Sequence, residues 1–216
     1  MFKANVLVFL PLVIALAGCD SESVMKENVA CIDTADIQFA CAIRNPEDLV
    51  YFAQTNEIIF GEYGDMSTGR IGALSALDPT TMTTRDLTSV AASAEQWGDA
   101  NCEALPAAKL SPHGLDLSQR GDGRWQLLVV NHYLRESIEF FELSQGAEGA
   151  VLHARGCVQM PADNRINDVA AITETNGFLV THMHEPDDGL AGLLNVPKFL
   201  LGLDTGYVME WQPDTG

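Results

Sequence analysis

Two histidines in the stretch "LSPHGLDLSQRGDGRWQLLVVNHYLRESIEFFELS" (residues 110–144) are the first side chains here whose type and spacing could do chemistry. His113 comes just before the alternation of "GLDLS", and His132 comes just after the apolar run "LLVV". Imidazole is the side chain that exchanges a proton near neutral pH. Two of them at strand ends either face water at separate hairpin ends or meet across a site as base and partner. The elements that carry them decide which.

Those elements read as short strands separated by Gly, Asn and Asp turns. "LVYFAQTNEIIFGEY", "GRIGALSALDPTT", "WQLLVVNH", "SIEFFELS", "AVLHARGC", "DVAAITETNGFLVTHMH" and "YVMEWQPDTG" follow one another, with one possible short helix near "LAGLLNVPKFLLGL". Such a succession predicts an all-β domain. It is also repetitive. "EDLVYFAQTNEIIFGEY" from Glu47 superimposes without a gap on "NDVAAITETNGFLVTHM" from Asn167, and "HGLDLSQRGDGRWQLLVVNH" from His113 follows the same plan with a longer turn. "RIGALSALDPTT", "SIEFFELSQG" and "YVMEWQPDTG" form a second matching series. A recurring four-stranded unit predicts a β-propeller, although a β-sandwich would also suit the irregular strand spacing. In a propeller the innermost strands run side by side about one axis. Glu47, His113 and Asn167, equivalent positions in three units, would then converge at one mouth. A carboxylate, an imidazole and an amide brought together are what a metal or catalytic site needs.

The N-terminus sets the compartment. "MFKANVLVFLPLVIALAGCD" has a lysine near its start, an apolar stretch from Val6 to Ala17 and then small residues, the pattern of a secretory signal. Leu16-Ala17-Gly18-Cys19 resembles a bacterial lipobox, which makes Cys19 the expected lipidation site, residues 1–18 the signal peptide and residues 19–40 a lipidated tether ahead of the domain at 41–216. The expected location is the cell envelope, anchored to a membrane through the lipid and facing the periplasm or the exterior. The chain carries 12 Lys and Arg against 30 Asp and Glu, and losing Lys3 with the signal takes the net charge from −18 to −19. So acidic a surface excludes nucleic acid as a partner and suits cations. Beyond Cys19, four cysteines in an oxidising compartment allow three disulfide connectivities. The expected bridge is Cys102–Cys157, with Cys31 and Cys41 joined locally or to a partner outside the chain. "RGD" at 120–122 falls in the longer turn and reads as a turn only.

"PEDLVYF", "SPHGLDL", "LLVVNHYLRESIEFFEL" and "NRINDVAAI", spanning about residues 45 to 185, resemble the paraoxonase/arylesterase group of the six-bladed gluconolactonase-like and strictosidine synthase-like propellers. That resemblance implies a calcium-dependent hydrolase of lactones or aryl esters. It implies a catalytic calcium held by Glu47 and Asn167, with further ligands from later blades, and a second, structural calcium held by Asp48, Asp168 and the backbone carbonyl of Leu115. It implies that His113 and His132 form the dyad that activates water. His184 would line the substrate pocket, with Met183 where the family has an acid, and "GLLNVPKFLL" would match a helical insertion over the mouth. Oxygen ligands suit calcium, and a hard cation polarises an ester carbonyl. A non-catalytic propeller lipoprotein that binds a ligand or partner is the alternative, favoured by the missing acid at 183. Six blades need more than these 216 residues. The sequence is therefore expected to be the N-terminal part of a longer gene product, with roughly three blades present.

Overall fold

A computed structural model describes residues 31–41, 43–65, 69–87, 89–90, 95–184 and 189–213. The signal peptide, Cys19 and the start of the tether lie outside the described residues. The chain is all-β, with one helix and three antiparallel sheets. The first sheet is a four-stranded meander of β1 (Pro46–Phe52), β2 (Glu57–Asp65), β3 (Arg70–Asp78) and β4 (Thr83–Asp86), in that order. The second contains β6 (Pro112–Gln119), β7 (Trp125–Asn131), β8 (Ser137–Gly146) and β9 (Gly149–Gln159). A two-residue strand, β5 (Ser89–Val90), adds to the outer edge of β9 in parallel. The third has β10 (Arg165–Ile172), β11 (Gly177–His184) and β12 (Tyr207–Trp211), with helix α1 (Gly189–Leu200) inserted between β11 and β12. Among the described residues no helix is long and apolar enough to cross a membrane.

The internal repeat holds in three dimensions. The two "TN" turns close their hairpins identically: the Thr55 N–H donates to the Phe52 carbonyl and the Thr175 N–H to that of Ile172. Asn56 (φ 53°) and Asn176 (φ 57°) each take the left-handed conformation that asparagine tolerates better than most residues. In the longer turn, Asp122 accepts from the Arg124 N–H, and the Arg120 guanidinium lies 4.3 Å from the centre of the Trp97 ring. "RGD" is therefore occupied in building its own hairpin.

The run "LLVV" needs explaining, because a one-faced strand would alternate polar and apolar residues. The second sheet is covered on both faces. Leu127 and Val129 of β7, with Phe141 and Leu143 of β8, pack against Phe52, Ile59 and Leu74 of the first sheet. Leu128 and Val130, with Ile138 and Phe140, pack against Val169, Phe178 and Trp211 of the third. Successive residues of a strand point to opposite faces, so a strand of a sandwiched sheet can carry a continuous apolar run such as this one. Each large aliphatic or aromatic side chain buried this way contributes about 1.5–3 kcal/mol.

Two disulfides are present. Cys102–Cys157 ties the long connection from the first to the second sheet onto β9, and Cys31–Cys41 closes a loop of the segment before β1. The expected bridge forms, and the remaining pair is joined locally.

Candidate active site

The first strands of the three sheets lie side by side, with β6 packed between β1 and β10. Each carries the same irregularity near its start. Between Pro46 and Leu49, between Pro112 and Leu115, and between Ile166 and Val169, three steps along the strand match only two on its partner. The extra residue of such a bulge breaks the in–out alternation and re-aims side chains. The residues at these three bulges are Glu47-Asp48, His113-Gly114 and Asn167-Asp168. All six line one open hollow of about 250 Å³. Glu47, His113 and Asn167 therefore do meet, from within the strand starts rather than ahead of them.

The contacts are direct. Asn167 Nδ2 lies 3.2 Å from His113 Nε2, and Glu47 Oε2 lies 3.4 Å from the same nitrogen. Asp48 accepts hydrogen bonds from its neighbour's N–H at Leu49 (2.7 Å) and from the Leu115 N–H (2.9 Å), joining β1 to β6. Gly114 permits the approach on the other side. A Cβ there would stand 2.6 Å from Asp168 Cα and Oδ1 and 2.8 Å from the Asn167 carbonyl oxygen. Among the described residues no Lys or Arg pairs with Glu47, Asp48 or Asp168. Nor do three His, Cys, Asp or Glu side chains stand together as a ready metal cluster among them. The hollow is lined instead by the carboxylates of Glu47, Asp48 and Asp168 and by the Asn167 amide, residue types whose oxygens suit a hard cation.

Behind the hollow the two histidines touch. His113 Nδ1 is 3.2 Å from His132 Nε2, and His132 Nδ1 is 2.8 Å from Glu136 Oε2. The edge of Tyr63 packs against both imidazoles. Asn131 makes this arrangement. Its fully buried side chain donates to the Tyr133 and Arg135 carbonyls and to Ser137 Oγ, and accepts from the N–H groups of Ser111 and Tyr133. The loop 132–136 is thereby wound tight enough to put His132 and Glu136 on the same side. Arg165 of β10 donates to the second oxygen of Glu136 at 2.6 Å.

These surroundings set the charges. Burial, and then repulsion from His132, push the His113 imidazole below its ordinary 6.5, although Glu47, Asp168 and Asp48 pull the other way. It is therefore neutral at pH 7. Burial pushes the Glu136 carboxyl up, but hydrogen bonds and charges from His132 and Arg165 more than reverse this and hold it below its ordinary 4.5. Burial, with the charge of Glu136 beside it, raises the Tyr63 phenol.

On the far side of the dyad, Tyr63, His113, His132, Arg165, Ile166, Met183 and His184 line a cavity of about 320 Å³. His184 thus stands in the wall of the cavity that the dyad adjoins, and α1 steadies it, through Asn195 Nδ2 at 3.4 Å and the edge of Phe199. His182 sits apart, buried and stacked on Tyr207 at 4.4 Å. Sequence reading missed Glu136, Asn131, Tyr63 and Arg165. The only available signal for Glu136 was its place four residues after His132, which means little until the loop conformation is known.

No protein-family model and no curated protein sequence matches this chain.

Proposed function

We propose that this chain is a calcium-dependent hydrolase of small lactones or aryl esters, with the three sheets as successive blades of a paraoxonase/arylesterase-like β-propeller and the hollow between their first strands as its mouth. The observation that carries the reading is the partly exposed His113. It is backed by His132 and Glu136, and it stands between an acidic hollow and a cavity large enough for a small ester.

His113 is the base. Its Nε2 takes a proton from water as that water attacks the carbonyl carbon. The resulting imidazolium is stabilised by Glu47 on one side and by His132 and Glu136 on the other, and it gives the proton to the leaving alkoxide or phenoxide as the C–O bond breaks. Before substrate arrives the Asn167 amide N–H donates to the same Nε2 and holds the ring in place, and the attacking water takes over that position. Tyr63, Ile166, Met183 and His184 hold the apolar part of the substrate. Glu47 and Asn167 would hold a catalytic calcium, and Asp48, Asp168 and the Leu115 carbonyl a structural one. Bound calcium would supply the Lewis acid that polarises the ester carbonyl. Lipid attached to Cys19 would keep the domain at a membrane of the cell envelope.

The test is hydrolysis of phenyl acetate and δ-valerolactone by the full protein, with calcium and after chelation. Turnover that disappears with the chelator and returns with calcium is expected. Turnover indifferent to the chelator, or none with calcium bound, rejects the reading and leaves a non-catalytic binding protein.

A further inference from the structure

Glu136 is the buried carboxylate that the dyad alone does not account for. It is 6% exposed and stands where the chain wraps back past β10. We infer that Glu136 is a positioning residue: by accepting from His132 Nδ1–H it fixes the tautomers of both histidines, so that His113 keeps an unprotonated Nε2. This rests on the hydrolase reading for its catalytic consequence, but not for its structural one.

The hydrogen bonds dictate the proton positions in turn. An ionised carboxylate only accepts, so the His132 nitrogen 2.8 Å from Glu136 Oε2 carries the proton. His132 Nε2 then has a lone pair and must accept, which places the proton of His113 on Nδ1, 3.2 Å away. The other nitrogen of His113 is left without a proton, its lone pair accepting from the Asn167 N–H at 3.2 Å with Glu47 Oε2 3.4 Å away, and attacking water replaces that bond. Reversing the first link reverses them all. With the proton on His132 Nε2, His113 Nδ1 becomes the acceptor, His113 Nε2 carries the proton, and the base is blocked.

Arg165 makes the carboxylate irreplaceable by its amide. One oxygen of Glu136 accepts from Arg165 Nη1 at 2.6 Å, the other from His132. Arginine can only donate. In Glu136→Gln the single amide oxygen must face Arg165, which turns the NH2 group toward His132 Nδ1 and forces that nitrogen to accept. The isosteric change therefore flips the relay without emptying the site. The fold should tolerate it, because the loop is held independently. Asn131 binds its carbonyls and the Met160 N–H donates to the Glu136 carbonyl at 2.9 Å.

The experiment is 15N spectroscopy of the imidazoles in the full protein, its Glu136→Gln variant and its Glu136→Asp variant, alongside phenyl acetate kinetics. In the unsubstituted protein the proton should sit on Nδ1 of both histidines. In Glu136→Gln it should move to Nε2 of both, and kcat should fall by about 10²- to 10⁴-fold with KM little changed. Glu136→Asp should restore the original tautomers and most of the rate. A proton on His113 Nε2 in the unsubstituted protein, an unchanged tautomer pattern in Glu136→Gln, or a kcat within about threefold of the original overturns the inference. Absence of hydrolysis by the unsubstituted protein sinks the hydrolase reading alone, since the tautomers still decide what Glu136 does.

Discussion

A histidine acting as base must be deprotonated when its substrate arrives, and His113 is arranged for that. Burial and the neighbouring imidazole both disfavour its charged form, which keeps its pKa under the ordinary 6.5. The acid limb of a kcat/KM profile for phenyl acetate should accordingly lie below pH 6.5, with the rate falling as pH drops through the His113 pKa. A limb above 6.5 would mean that Glu47, Asp48 and Asp168 dominate, or that another group is titrating. The sign also governs stability. The unfolded chain takes up the proton first, so the fold loses His113's share of stability as pH falls from 6.5 toward the lower folded value. At this scale the sequence was only half legible. His113, Glu47 and Asn167 declare themselves by type and by place in the repeat, and His132 by type and by the family resemblance. Glu136 and Asn131 do not, because their roles depend on a loop with no period, in which Leu134 sits at φ 63°.

Among the elements, the strand bulges matter more than the strands. A regular β6 would send His113 and Gly114 to opposite faces. The extra residue between Pro112 and Leu115 instead turns the imidazole toward the hollow while the glycine backbone closes on Asp168. Gly114→Ala tests this directly. Its methyl group would meet Asp168 and the Asn167 carbonyl at under 3 Å, so β6 and β10 must separate, at a cost of about 1–3 kcal/mol. A lowered melting temperature is expected, and an unchanged one would show that the strands are not held this closely. The strand pairs and "TN" turns could be read from periodicity and turn chemistry. The bulges could not, since a single extra residue looks like one more strand residue. Nor could β5, whose two residues are too few for any pattern.

At the scale of the whole molecule, stacking does what no single sheet could. Three sheets share two apolar layers, one on each face of the middle sheet, and that stacking brings residues far apart in the chain to one hollow. The alternating and doubly apolar strands foretold an all-β chain. Convergence of the strand starts followed from treating the repeat as spatial. In the proposed hydrolase Glu47 of the first sheet and Asn167 of the third serve a single ion. A double-mutant cycle on the calcium-induced rise in melting temperature measures it most directly, since bound ligand stabilises the fold by mass action. Glu47→Ala and Asn167→Ala should each remove the same part of that rise, leaving the part due to calcium held by Asp48 and Asp168, and the double variant should lose little more. Two losses that simply add, or no loss from either substitution, would show that the two residues do not share an ion.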